Sequence, residues 1–421
     1  MNRGHVTTSH IRLTAALLLA SAFVLPPGLA EAKRLFTAEI TIDPLTVPVT
    51  SSDGTNKINK IPDLFSDANL DQIFGGYDPT TQSFIADLDV RGVLALLSWD
   101  PLTTDLELSI DGVLDLTFNA ATLDEALVLL ERWFDGDLDV ATAPDDALTD
   151  LLQALVENSP VDPVAGNPSS LESRMLSADY RLGTEGPFTS GDERLEAAPN
   201  LLGLGAEYSY FKGGAWSGNL VELPIDYRFD FRNPKWSLLF NLPLTATFTE
   251  GQWSLIPSAA LGAQFRPTLW WSLTPIFRVG GAGSIDVGAL AVMYSATITN
   301  HMKLAWKGLT FGMGNMGGFA KTINGISIGD FEFSYDLTNP VFRNGAYVSG
   351  QIGSWAGWKL FGSNMLLFGD DLYADSQNEV GAAIYTVGSI GKQPYQALAF
   401  DVSYLFGKDY DAVSLRLRFR F

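Results

Sequence analysis

No stretch restricts the fold of this chain more than its last ten residues, Ala412 to Phe421, which read AVSLRLRFRF. Val413, Leu415, Leu417, Phe419 and Phe421 fall on one side of an extended chain and Ser414, Arg416, Arg418 and Arg420 on the other, because side chains of a strand alternate between faces. One face is apolar and the other cationic. In a water-soluble sandwich the apolar face meets a core, and the chain seldom stops there on a bare aromatic. Alternation that runs to the last residue calls for neighbours that close the strand on both edges rather than leave it to fray.

This aromatic-ended segment resembles the C-terminal signature of Gram-negative outer-membrane proteins. The resemblance implies that Phe419 and Phe421 form a membrane-insertion signal read by the barrel-assembly machinery. It also implies a surface in contact with outer-membrane lipid and lipopolysaccharide.

Residues 1–32 read as a cleavable signal peptide: Arg3 and Arg12 give a positive start, Leu13 to Leu25 an apolar run, and Ala30-Glu31-Ala32 a small-x-small cleavage site. Beyond Lys33 no apolar run approaches the ~20 residues of a membrane helix. The absence of cysteine excludes disulfides, thiolate metal sites and cysteine nucleophiles. Charge is divided unevenly. Residues 33–200 carry 31 acidic and 9 basic residues, whereas residues 201–421 carry 16 of each. The shift near Asn200 predicts two regions with different surroundings, and the lack of a basic stripe argues against nucleic acid as a partner.

In the first region Phe84, Ala86, Leu88, Val90, Gly92, Leu94 and Leu96 share one face, and Leu106 to Phe118 alternates in the same way. Two readings fit: the first two strands of a barrel, or an ordinary hairpin packed on the helices next in the chain. Leu123, Ala126, Leu127, Leu130, Trp133 and Phe134 keep a 3.6-residue period after Thr122, and Leu148 to Val156 keep a second one, predicting two amphipathic helices. Between them Asp135, Asp137 and Asp139, with Asp146, have the spacing of a calcium loop. Val140 stands where such a loop needs glycine, so a solvated acidic turn is the preferred reading. Residues 160–168 hold three prolines and read as a linker.

The second region alternates in nearly every window. Val221, Leu223, Ile225, Tyr227, Phe229 and Phe231 oppose Glu222, Asp226, Arg228, Asp230 and Arg232, which predicts lipid outside and a charged lumen inside. Glu222, Asp226, Arg228, Asp230, Arg278, Asp401, Arg416, Arg418 and Arg420 are the expected lumen-lining residues. Strands are expected at Leu204–Phe211, Leu238–Phe248, Leu255–Phe265, Trp271–Val279, Leu290–Ile298, Lys303–Met313, Ile326–Leu337, Arg343–Gly353, Asn364–Ala374, Glu379–Ser389 and Leu398–Phe406. Barrels made by one bacterial chain have even strand numbers, giving 12, or 14 with Leu176–Leu182, or 16 with the early hairpin. Trp216, Trp236, Trp253, Trp270, Trp271, Trp306, Trp355 and Trp358 sit near expected strand ends, as an aromatic girdle requires. Inward glycines such as Gly262, Gly280 and Gly288 allow strong curvature or leave room for a plug.

The expected architecture is therefore an all-β, antiparallel transmembrane barrel of 12–14 strands, monomeric, with a smaller N-terminal α+β region. In order come the signal peptide 1–32, an acidic region 33–170 that is periplasmic or a pore plug, and the barrel 171–421. His301, the sole histidine after the signal, has no nucleophile signature beside it, so no enzyme and no cofactor is called for. The layout is similar to the translocator unit of autotransporters, in which a helix threads the pore before the first strand. That resemblance implies a threading helix at Ser169–Met175 or Asp145–Asn158. There is no long repetitive passenger, so a solitary autotransporter-type barrel is the leading reading. A passive solute channel is the alternative, and a lipid-acting enzyme using His301 the third.

Overall fold

The computed structural model describes residues 34–420 except 44–50, 136, 143–146, 186–199, 234, 285–286, 324–325, 329–330, 334, 354 and 391–392. The expected signal peptide, Phe421 and Asp146 lie outside the described residues.

Alternating apolar residues first build a six-stranded antiparallel sheet from β1 (Phe36–Asp43), β2 (Ser51–Thr55), β3 (Ser83–Val90), β4 (Val93–Asp100), β5 (Asp105–Ile110) and β6 (Leu114–Asn119). Its order is β2-β1-β3-β4-β5-β6. One face carries Ile40, Phe84, Leu97, Leu106 and Phe118, all buried against Phe65, Leu130 and Trp133. The short α1 (Asp67–Phe74) packs beside it. Leu130 and Trp133 come from α2 (Leu123–Phe134), whose N-terminus Thr122 caps by accepting from the Glu125 amide. A third helix, α3 (Ala147–Asn158), completes this layer.

Here the structure corrects the reading of residues 84–97 as one strand. The chain reverses at Arg91 (φ 54°) and Gly92 (φ 102°), the two left-handed residues of a tight hairpin turn. The reversal flips the faces of the next strand: Val93, Ala95, Leu97 and Trp99 are buried, and Leu94 and Leu96 face out. Neither alternating stretch joins the barrel; each is a hairpin of two short strands.

The barrel is closed and antiparallel, with twelve strands. The first seven are β7 (Leu201–Gly213), β8 (Trp216–Asp230), β9 (Trp236–Thr249), β10 (Gln252–Phe265), β11 (Trp271–Ser284), β12 (Ala289–Trp306) and β13 (Leu309–Ile323). A short pair, β14 (Ile326–Ile328) and β15 (Phe331–Phe333), then stands outside the barrel as its own hairpin. The remaining five strands are β16 (Thr338–Ile352), β17 (Ala356–Leu367), β18 (Ser376–Ile390), β19 (Gln393–Gly407) and β20 (Tyr410–Arg420). The final strand is paired on both edges, with β19 (Asp401↔Arg416) and with β7 (Glu207↔Arg416), so no apolar edge is left open.

Of the thirteen expected segments, one leaves the barrel and one is redrawn, which gives twelve strands. Lys303–Met313 is the end of β12 and the start of β13, joined at Lys307 (φ 48°) and Gly308 (φ 80°). Ile326–Leu337 supplies β14 and β15. Leu176–Leu182, the expected fourteenth strand, is helical. All twelve barrel strands expose large apolar side chains outward, among them Tyr210, Leu223, Phe240, Leu261, Phe277, Ile298, Met313, Phe342, Leu360, Ile384, Val402 and Val413. A continuous apolar belt of this size is a lipid-facing surface. Trp236, Trp253, Trp270, Trp306 and Trp355 flank it, whereas Trp216 is buried beneath Gly92 of the N-terminal sheet.

Candidate functional site in the barrel lumen

The mouth where β7 begins and β20 ends is called near; the opposite one, far. Residues 159–173 lead from the N-terminal sheet into the far mouth and are buried throughout. They continue as α4 (Leu171–Thr184), capped by the Ser170 hydroxyl, which accepts from the Ser173 amide. At 1.5 Å per residue α4 is about 21 Å long. Its first turn meets the far half of the wall: a Cβ placed at Gly280 would lie 2.9 Å from both Leu171 and Met175. Its end meets the near half, where Glu185 pairs with Arg418 and its carbonyl accepts from Arg420 at 3.1 Å.

Polar side chains on every turn of α4 reach a different part of the wall. Arg174 donates to Glu207 Oε1 and Glu222 Oε2, both from 3.0 Å. Arg181 reaches the same two carboxylates at 3.0 and 3.3 Å, and Arg416 of the last strand joins Glu207 at 2.7 Å. Two carboxylates 15 residues apart in the chain, on adjacent strands, thus hold three guanidinium groups. Ser173 accepts from Gln377, and Ser177 accepts from Arg343, which also pairs with Glu379 and lies 4.6 Å above the Tyr180 ring.

The decisive contact is on the other side. Asp179 accepts from Arg278 Nε at 2.7 Å and from Ser295 and Thr297 hydroxyls at 2.9 and 3.3 Å, while Arg278 also donates to Ser258 and Asn241. Asp179 and Arg278 are both fully buried, so each charge is neutralised only by the other across the helix–wall boundary. This is a self-plugged β-barrel.

Of the expected lumen residues, Glu222, Arg278 and Arg418 contact α4 or its end directly, and Arg416 joins them through Glu207. Asp401 holds Arg418 at 2.9 Å. Asp226 accepts from Asn241, and Asp230 binds Arg228 and Arg266 near the near mouth. Arg420 reaches the end of the helix. Glu207, Arg343, Glu379 and the α4 side chains were not singled out by sequence. Glu207 sits at an inward position of β7, and Arg174 and Arg181 recur at a seven-residue interval, so both carried a readable signal.

The threading helix is Leu171–Thr184, overlapping the Ser169–Met175 candidate; the Asp145–Asn158 candidate packs on the sheet instead. The N-terminal region stands at the far mouth and is not itself the plug. Its hairpin tip delivers Arg91, fully buried, to Asp162 of the connector at 3.3 Å. Asp162 also accepts the Val164 and Ala165 amides and the Tyr335 hydroxyl, the last at 3.5 Å. Burial, with the Asp162 charge adding to it, pushes the Tyr335 hydroxyl well above its ordinary range, so it stays a donor. Further clamps are Asn56 to the Glu250 carbonyl at 3.0 Å, and the Tyr373 and Ala374 amides to the Val156 and Gly166 carbonyls at 3.1 and 2.8 Å.

His301 lies inside the wall and is hydrogen-bonded by Nε2 to the Tyr347 hydroxyl at 3.2 Å. In the acidic turn Asp137 is held by Arg132 at 3.0 Å. Among the described residues no three His, Asp or Glu side chains converge as metal ligands. Beside α4 remain cavities of about 90 and 40 Å³, room for a few waters.

No family model and no curated protein matches the chain. Among solved structures, the β domain of the Bordetella autotransporter Brka is 11% identical with a TM-score of 0.42, covering 53% of this chain and 99% of that one. The translocator domain of the autotransporter NalP from Neisseria meningitidis is 12% identical, TM-score 0.39, covering 59% and 95%. A KdgM porin in complex with disordered oligogalacturonate is 8% identical, TM-score 0.34, covering 52% and 99%. At such values the likeness is one of fold alone.

Proposed function

We propose that this chain is an outer-membrane barrel of the solitary autotransporter-like kind, non-enzymatic, which keeps a helix in its lumen and holds a small α+β domain at its outer mouth. The observation that carries the reading is the course of α4, which joins the domain at the far mouth to the first strand at the near one. A chain with that path has its N-terminal domain and the start of its barrel on opposite sides of the membrane. With the start of the first strand and the end of the last on the periplasmic side, as expected of a bacterial barrel, the domain faces outward. Neither an open solute channel nor lipid chemistry at His301 draws support from this geometry, since α4 fills the lumen and His301 faces inward.

Planar-bilayer conductance tests the plug. The full chain and a chain lacking residues 33–170 should both pass little current, because α4 remains in each; removal of residues 33–185 should give a large, steady conductance. Equal, large currents in all three would sink the proposal and favour the porin-like alternative.

A further inference from the structure

The N-terminal sheet buries one face under its helices, and among the described residues the middle of the other face is uncovered. Along the middle of that open face, Leu94 and Leu96 of β4 are 74% and 40% exposed, and Ile85 of β3, diagonal to Leu96, is 53% exposed. Acidic strands border this apolar strip on both sides. Asp87 stands directly opposite Leu96 on β3, and Glu107 lies on β5 beyond it. Glu39 of β1 is in turn directly opposite Asp87, a like-charge pair that weakens the free sheet. Among the described residues no Lys, Arg or His of β1 to β6 occupies the open face; Arg34, ahead of β1, lies over Gly54 and Thr37 at the β1–β2 side of it, two strands from β4.

We propose that this face is a docking surface for a cationic amphipathic peptide segment of a partner protein. The complementarity is geometric as well as electrostatic. Neighbouring strands lie ~4.8 Å apart, so a segment laid along β4 sets its apolar side chains on Leu94 and Leu96 while its cations reach the carboxylates of β3 and β5 on either side. One occupant relieves both unfavourable features of the free face: it covers the exposed leucines and places positive charge between Glu39 and Asp87. The inference does not depend on which side of the membrane the far mouth faces.

The test uses the full chain in neutral-detergent micelles and a short fluorescent helical peptide whose leucine stripe is flanked by lysines on both sides, with empty micelles as the blank. Saturable binding is expected. It should weaken about tenfold, equivalent to ~1.4 kcal/mol, in the Leu94→Ser, Leu96→Ser double variant, and comparably in Asp87→Asn, Glu107→Gln. All four positions lie on the open face, and far-UV circular dichroism checks that the variants fold. Unchanged affinity in either variant, equal binding of a lysine–serine peptide, or no saturable binding would each overturn the proposal.

Discussion

Asp179 and Arg278 show how a charged lumen is made rigid. Neither has access to water, and each is completed by neutral donors and acceptors from β9, β10 and β12. Removing one partner strands the other's charge, which costs about 3–5 kcal/mol. Asp179→Ala should therefore loosen α4 without abolishing the barrel; the expected reading is a flickering conductance from a protein that still shows heat-shifted gel migration. A silent channel identical to the parent would show that the pair does not hold the plug. A lipid-facing position behaves differently. Leu417 alternates with Arg416 and Arg418 and points outward, so Leu417→Arg puts a cation in hydrocarbon at a cost of about 2–4 kcal/mol. Loss of the folded, heat-shifted form is expected there, and normal yields would reverse the face assignment.

Of the elements, α4 is the least legible in sequence. Its residues LESRMLSADYRLGT carry no broad apolar stripe, because the wall around it is polar on nearly every side. Helix-finding by amphipathicity therefore selects α2 and α3, which face an ordinary apolar sheet, and passes over the helix that fills the lumen. The β3–β4 hairpin is a second instance. Its turn residues Arg91 and Gly92 were in view, but alternation of the flanking residues reads straight through a reversal. That tip is also the clasp between domain and barrel. Asp162→Ala leaves Arg91 buried without its carboxylate and should expose the connector 159–170, which is buried in the parent. Limited proteolysis should then cut the variant within the connector while leaving the parent intact, and equal resistance in both would deny the clasp its role.

At the scale of the whole molecule, acid is concentrated outside and balanced within. The surplus of carboxylates belongs to residues 33–200, while residues 201–421 carry equal numbers of acidic and basic side chains. Sidedness can be read directly because the chain has no cysteine. Leu102, 92% exposed in the β4–β5 turn, is a suitable reporter. Leu102→Cys should be labelled on intact cells by a membrane-impermeant maleimide. Labelling only after the outer membrane is opened would place the domain in the periplasm and reverse the proposed orientation.

Alternation in AVSLRLRFRF and the strands before it is a local property with a period of two, so sequence by itself determined that the second region is a closed barrel with lipid outside and charge inside. It also determined the acidic character of the first region and the cap and apolar stripe of α2. Only the tertiary structure decided the strand number, since β12 and β13 meet at a two-residue turn that their alternation does not reveal. Only it decided that the early hairpins form a separate sheet, that Leu171–Thr184 and not a more amphipathic helix enters the lumen, and that Arg416 pairs with Glu207. The physical reason is common to all of these: each depends on which groups lie across a closed wall, and those groups are distant in the chain. Arg416 and Glu207 are separated by 209 positions, a distance over which periodicity carries no information about partners.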